Sequence, residues 1–297
     1  MLSGPRGTLA LWSLWLLLSA AGCIPTKQAR VAAVAYTAED VLRAAAKQPD
    51  PAIVRDGSPA YIMLVDGLIE AYPNNSELLT AGCQSYTVYA SSFVEDSDPG
   101  KAAILYGKAK KYGFRALSLR RDFRQAASGN FDHFTAFLKQ YEKEEVPALF
   151  CTSSAWAKWI GLNLDRVEAL ADVPMLKATL QRVIELDGGF YYGSPHLQMA
   201  VYLAAIPSIA GGNLEKAKEH FDEAFALGAD KLLSAKVLFA RYYAVRLKDR
   251  ALFEKTLKEV MEAPLDEVPE LTLSNTLAKE KARELLERAD EYFWLSP

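Results

Sequence analysis

Beyond Ala35 the apolar residues return every three or four positions, with polar residues filling the gaps. In the run Leu214 to Leu227, residues Leu214, Ala217, Phe221, Ala224 and Phe225 fall on one stripe of an α-helix. Runs of β-branched residues with a period of two are absent. The pattern therefore predicts an all-α fold.

The helical segments also repeat. Ala217, Phe221 and Ala224 share their spacing with Ala102, Tyr106 and Ala109. Just before the second set, Tyr86, Tyr89, Ala90 and Phe93 hold small and aromatic positions at matching offsets. Small and aromatic residues so arranged are those of a tetratricopeptide unit, where two helices approach most closely at the small positions. Weaker copies run Tyr61–Val65–Leu68, Leu176–Leu180–Val183 and Phe253–Leu257–Val260, with a sixth around Phe134 and Leu138. Successive copies lie 41, 32, 42, 41 and 36 residues apart, so the units are irregular and their loops longer than usual.

Helix-boundary residues fit this register. Ser58-Pro59, Asp98-Pro99 and Val173-Pro174 each place proline at the first position of a second helix, where its missing N–H costs nothing. Ser194-Pro195 opens another helix in the same way. Gly113, Gly188 and Gly228 are expected just past helix ends, in left-handed conformation. Pro207 and Gly211-Gly212-Asn213 break the chain before Leu214. The expectation is a tetratricopeptide-like array of about twelve helices in stacked antiparallel pairs, cooperative because no pair buries its face alone.

The first residues follow a different pattern. Arg6 precedes an apolar stretch from Leu9 to Leu18, and Leu18-Ser19-Ala20-Ala21-Gly22-Cys23 then supplies small residues ahead of a cysteine. A positive start, a short apolar run and small residues make a secretory signal, too short for a membrane span. The cysteine makes it the lipoprotein variant, in which the Cys23 thiol is diacylated and cleavage exposes a lipidated amino terminus. Two or more acyl chains hold a protein to a bilayer almost permanently. This divides the chain into a signal peptide (1–22), a lipid-anchored tether (23–35) and a helical domain (36–297). Ile24 stands where enteric inner-membrane lipoproteins carry aspartate, which favours the outer membrane, facing the periplasm.

Composition narrows the chemistry. Hydrophobic residues make up 51% of the chain and charged ones 24%, as in an ordinary folded protein. The balance of 34 basic and 37 acidic residues gives no overall footprint for nucleic acid. Once Cys23 is acylated, Cys83 and Cys151 remain. Both sit in apolar, helix-like surroundings and read as buried small hydrophobes, with a disulfide as the alternative in an oxidising compartment. His133, His196 and His220 have no zinc-ligand spacing, so neither a metal nor a cofactor is expected. Nucleophile elbows, Walker loops and dinucleotide fingerprints are absent, and Glu142, Glu144 and Glu145 form a charged patch of the solvated kind. The reading is non-enzymatic.

Three segments are richer than a scaffold requires: Ala155-Trp156-Ala157-Lys158-Trp159-Ile160, the run Asp187 to His196, and Pro207 to Gly212. Trp156 and Trp159 share a helical face, and tryptophans so spaced also serve as core. Tyr191, Tyr192 and His196 join them as candidates for lining a cleft, since clustered aromatics with polar tips suit an apolar pocket with a few polar handles.

These segments resemble the T component family associated with TRAP transporters, tripartite ATP-independent periplasmic systems for organic acids. The resemblance rests on the lipoprotein signal, the helix of Trp156 and Trp159, and Arg182-Val-Ile-Glu185-Leu186-Asp187. It continues through Gly193-Ser194-Pro195-His196, Pro207 with Gly211-Gly212, His220-Phe221, and Asn275-x-Leu277-Ala278 with Ala282 and Leu285-Leu286. It spans about Ala60 to Phe293. The resemblance implies a tetratricopeptide-like helical lipoprotein that self-associates as a homo-oligomer, a trimer being one arrangement, and partners a periplasmic TRAP solute-binding protein. It also implies that a small, even hydrophobic, organic ligand passes through or rests in a pore or cleft. The competing function is a tetratricopeptide-type scaffold lipoprotein for protein–protein interaction in envelope assembly.

Overall fold

The computed structural model describes residues 40–208, 211–265 and 267–293. Chain contacts divide the protein after Leu42, and the second unit, from Arg43 onward, holds the helices from Pro51 to Phe293. The expected signal peptide (1–22), tether (23–35) and lipidated Cys23 lie outside the described residues.

Among the described residues, fourteen α-helices lie between Pro51 and Phe293. The first eight are α1 (Pro51–Ala71), α2 (Ser76–Phe93), α3 (Pro99–Leu117), α4 (Phe123–Ala127), α5 (Phe131–Leu138), α6 (Val146–Gly161), α7 (Val167–Ala171) and α8 (Val173–Asp187). The rest are α9 (Phe190–Ala205), α10 (Leu214–Ala226), α11 (Leu233–Leu238), α12 (Arg250–Glu262), α13 (Thr272–Glu287) and α14 (Ala289–Phe293). The architecture is an all-α helical array. The number exceeds twelve because α4, α7 and α14, of five residues each, are too short to leave a periodic pattern.

Short links explain the pairing. Four residues join α1 to α2 and five join α2 to α3, so each helix must fold back on its predecessor. Packing then steps along the chain, α3 on α6, α6 on α8, α8 on α9, α9 on α10 and α12 on α13. Helix α13 also meets α1, and ion pairs Lys281–Asp96 (2.7 Å) and Lys47–Glu270 (2.9 Å) accompany that contact.

The repeat register holds where it was clearest. Ala102, Tyr106, Ala109, Ala217, Phe221 and Ala224 are all fully buried. A side chain of Phe size removed from water in this way stabilises the fold by roughly 1.5–3 kcal/mol.

Several boundary expectations are corrected. Pro59 does not start a helix but lies inside α1. The true start is Pro51, where the Asp50 carboxylate accepts the Ala52 N–H at 2.9 Å. An acidic cap upstream outcompetes the Ser58 start, and the Ser58 hydroxyl turns back to the Val54 carbonyl (2.6 Å). Gly113 is interior to α3, because a Cβ there would collide with Thr152 of α6. Gly188 is right-handed (φ −62°), and its missing side chain leaves room for the His196 ring. Only Gly228 is left-handed as expected (φ 105°).

Cys83 and Cys151 are buried, but not as free thiols. A disulfide joins them, linking α2 to α6. Apolar surroundings favoured the thiol reading, yet α2 and α6 pack directly together and bring the two sulfurs into bonding range.

Candidate functional site

Trp156 and Trp159 sit on α6 among groups that already satisfy them. Trp156 is buried, its ring edge-on to Phe114 at 4.9 Å. Its indole N–H donates to Asp172 Oδ2 (2.8 Å), which also accepts from Lys110 Nζ (2.9 Å). The Lys110 ammonium stands 3.9 Å from the centre of the half-buried Trp159 ring. A cation placed on an indole face contributes about 0.5–2 kcal/mol. These tryptophans therefore belong to a carboxylate-centred knot joining α3, α6 and the start of α8.

Two similar knots lie nearby. Asp66 accepts from Tyr86 (2.8 Å), Lys108 (2.6 Å) and Tyr112 (2.7 Å). Burial pushes the Asp66 carboxyl up, but those three donors outweigh it and hold the group below the usual carboxylate range. Burial, then the bond to Asp66, pushes the Tyr112 phenol up to about 12. Glu95 accepts from buried Tyr106 (2.5 Å) and from Lys158 (2.9 Å). None of these three carboxylates was singled out from sequence, because their partners lie 11 to 63 residues away.

Tyr191, Tyr192 and His196 occupy a different place, the start of α9. Tyr191 (φ 42°), Tyr192 (φ 60°) and Gly193 (φ 75°) are consecutive left-handed residues, after which Ser194-Pro195 restarts the helix. Each left-handed tyrosine costs roughly 1–2 kcal/mol. Gly193 is required here, since a Cβ would press on the Ala224 carbonyl of α10 and on Leu227 just past its end. The Ser194 hydroxyl donates to the Tyr191 carbonyl at 2.6 Å and closes the elbow. Tyr192 packs against the buried cluster that contains Phe221 and Phe239, while Tyr191 stays 53% exposed against the Tyr192 ring.

His196 meets a residue to which sequence reasoning assigned no role. Its Nδ1 lies 3.0 Å from Nδ1 of His220 on α10, so one ring donates and the other accepts. Burial lowers the affinity of His196 for a proton, and that of His220 is lowered by burial and then by His196. The signal was present, since the faces of α9 and α10 place both histidines at the shared contact, but no local spacing marks it.

The five candidates thus fall into two groups, the tryptophans in the α3–α6–α8 core and the tyrosine–histidine elbow on α10. Within the Arg182-to-Asp187 segment, Arg182 donates to the carbonyls of Tyr141 (2.7 Å) and Lys139 (3.2 Å), ordering the end of α5. Pro207 and Gly211-Gly212 form the turn between α9 and α10. Among the described residues no group of three His, Cys, Asp or Glu could hold a metal ion, and no helix is long and apolar enough to cross a membrane.

A sequence profile described as TRAP transporter T-component matches residues 47–293. The chain is also 21% identical over 280 residues to an uncharacterized protein of Treponema pallidum (strain Nichols), a match covering 86% of this chain and 84% of that protein.

Proposed function

Because the chain belongs to the TRAP transporter T-component family, we propose that it is a non-enzymatic accessory component of a TRAP-type uptake system. In this reading residues 1–22 are removed, lipid on Cys23 and a tether of residues 23–35 hold the protein to the outer membrane, and the helical body faces the periplasm. There it engages the system's solute-binding protein and a small organic ligand. Self-association draws support from the outward face of α1. Ile53, Gly57, Ala60, Leu64, Gly67 and Ala71 are exposed at alternating spacings of four and three, a stripe without charge.

The observation that carries the partner reading is the elbow. Two adjacent tyrosines held left-handed, one of them exposed, are a backbone cost that packing alone does not require, and such strain clusters at contact and ligand-clamping sites. An exposed tyrosine also offers large contact area with little rotamer entropy to lose.

The test uses the purified protein and the solute-binding protein of the same system. Tyr191→Ser should weaken their association about tenfold or more, because an anchoring tyrosine carries at least 1–2 kcal/mol. An exposed substitution on α7, Val167→Ser, should leave it unchanged. Wild-type affinity in both Tyr191→Ser and His196→Ala moves the partner surface off the elbow. Separately, Cys23→Ser should shift the protein from the detergent phase to the aqueous one, and an unaltered partition refutes the lipid anchor.

A further inference from the structure

An open cleft of about 380 Å³ lies between the last turns of α3 and helix α4. Lys111, Arg115 and Arg124 line it together with the half-buried Phe114, and the buried Phe123 lies at its edge. The residues 108–124 carry seven basic side chains against one acidic, in a chain with a net charge of −3. Three of the seven are neutralised: Lys108 by Asp66, Lys110 by Asp172 and Arg120 by Glu145. Lys111, Arg115, Arg121 and Arg124 have no carboxylate partner among the described residues, and three of those four border the cleft.

We infer that this cleft binds an organic carboxylate, with the anionic head among Lys111, Arg115 and Arg124 and the apolar body against Phe114. The sorting of charges is the argument. Lys108 and Lys110 on the same helix are each matched to a carboxylate, whereas Lys111, Arg115 and Arg124 at the cleft are left for an anion from outside, Arg121 being the one unmatched cation of the segment away from it. Arginine forks suit a carboxylate bidentately, and a lysine adds a mobile point charge. Arg115 is half-buried and steadied by a bond from its guanidinium to the Pro73 carbonyl (3.1 Å), with its remaining donors free.

The hydroxyls at the rim do not compete for that role. Ser118 donates to the Phe114 carbonyl (2.6 Å) and Ser128 to the Arg124 carbonyl (2.9 Å), so the cations alone serve an anion. The volume sits near the lower end of small-molecule sites. The half-buried Phe114 ring, packed edge-on to Trp156 on one side and bordering the cleft on another, argues for a ligand with an apolar part. A plainer account of Arg115 and Arg124 places them at helix C-termini to offset the dipole. It does not explain Lys111, and it predicts no ligand.

Benzoate, benzamide and inorganic phosphate, titrated into the full chain at low ionic strength by calorimetry and NMR, decide the matter. Benzoate should bind saturably, and more tightly than either benzamide or phosphate. Affinity should fall as salt rises from low to physiological strength, as screening shortens the reach of exposed cations. Lys111→Gln with Arg124→Gln should weaken benzoate about tenfold or more, by loss of charge-assisted bonds. Should that double variant melt early, Ser128→Glu, at an exposed rim position, sets a carboxylate beside the cleft and should abolish binding. The inference is overturned by wild-type benzoate affinity in a folded variant of either kind. It is equally overturned by benzamide or phosphate binding as tightly as benzoate, or by no saturation up to on the order of 10 mM. The cleft and the elbow lie on different helices, so benzoate binding and solute-binding-protein association fail or survive independently.

Discussion

The helices α1–α8 and the helices α9–α11 are held together by different means. In the first region a disulfide joins α2 to α6, and three carboxylates, Asp66, Glu95 and Asp172, each draw donors from neighbouring helices. In the second, the chain departs from regular backbone twice. The elbow of Tyr191 to Gly193 is left-handed, and Phe239–Ala244, continuing α11, is π-helical. Both departures border one aromatic cluster, where Phe239 stacks on Tyr243 (5.0 Å) and meets Phe221 edge-on (5.2 Å). Polar locks and a covalent link resist opening. Strained backbone around adaptable aromatics lowers the cost of local rearrangement. In the first region left-handed backbone among the described non-glycine residues is limited to Asp122 (φ 69°) at the start of α4, so that region is suited to hold a fixed cleft, and the second to yield to a partner.

The sharpest way to break this contrast is at Trp156. Trp156→Ala removes a buried indole and the hydrogen bond to Asp172, and should cost about 3–5 kcal/mol in chemical denaturation. A loss below about 1 kcal/mol would show that the locked region is not a close-packed core. Next in size is removal of the disulfide. Cys83→Ala with Cys151→Ala frees a closed loop of 68 residues and should cost about 2–4 kcal/mol. Native-state hydrogen exchange on the same pair adds resolution: amides of α2, α3 and α6 should lose protection, and those around the elbow should change little. Equal loss in both regions would mean that they open as one unit.

Legibility in the sequence follows the same division. The small and aromatic core positions of α3 and α10 were readable because close helix packing demands them at fixed spacing within one helix. The knots of the locked region were not, since Asp66 reaches Tyr112 across 46 residues and Lys110 reaches Asp172 across 62. No window on the chain contains both ends of such a bond. Trp156 and Trp159 attracted notice for their size, and that size is used for packing. The elbow was half-legible: Gly193 and Pro195 marked a break before a helix, but nothing in the residue types of Tyr191 and Tyr192 foretells left-handed backbone. The basic cleft was hidden by the near-neutral overall balance and emerges only when each cation is matched to its partner.

A smaller effect of opposite sign tests the strain itself. Tyr191→Gly places the residue that tolerates left-handed backbone at φ 42°, and the lost side chain is largely exposed. The variant should gain up to about 1 kcal/mol of stability. If association with the solute-binding protein weakens while stability rises, the strain and the exposed ring are linked to contact rather than to folding. A variant that loses stability instead would show that the Tyr191–Tyr192 ring contact outweighs the backbone cost.

The smallest expected effect is the pH response of the histidine pair beneath the elbow. His196 and His220 both take up protons less readily in the folded protein than an ordinary imidazole, first because of burial. For His220 the neighbouring His196 lowers it further, and Lys216 acts in the same direction, while Glu223 opposes both. A depressed folded pKa means that the unfolded chain binds more protons below about pH 6.5. The stability contributed by the neutral pair is therefore fully present above that value and is lost as pH falls through the lower folded pKa values. Once both rings are protonated no lone pair remains to accept the 3.0 Å bond, so the two rings can no longer share one hydrogen. Thermal melting at pH 7.5 and pH 5.5 should show a drop in the wild type that His220→Gln reduces. Amides of Gly188 to Leu197 should exchange faster at the lower pH, after correction for intrinsic rates, than those of α3. An equal slope in wild type and variant would place the acid sensitivity elsewhere and remove the pair from the yielding region.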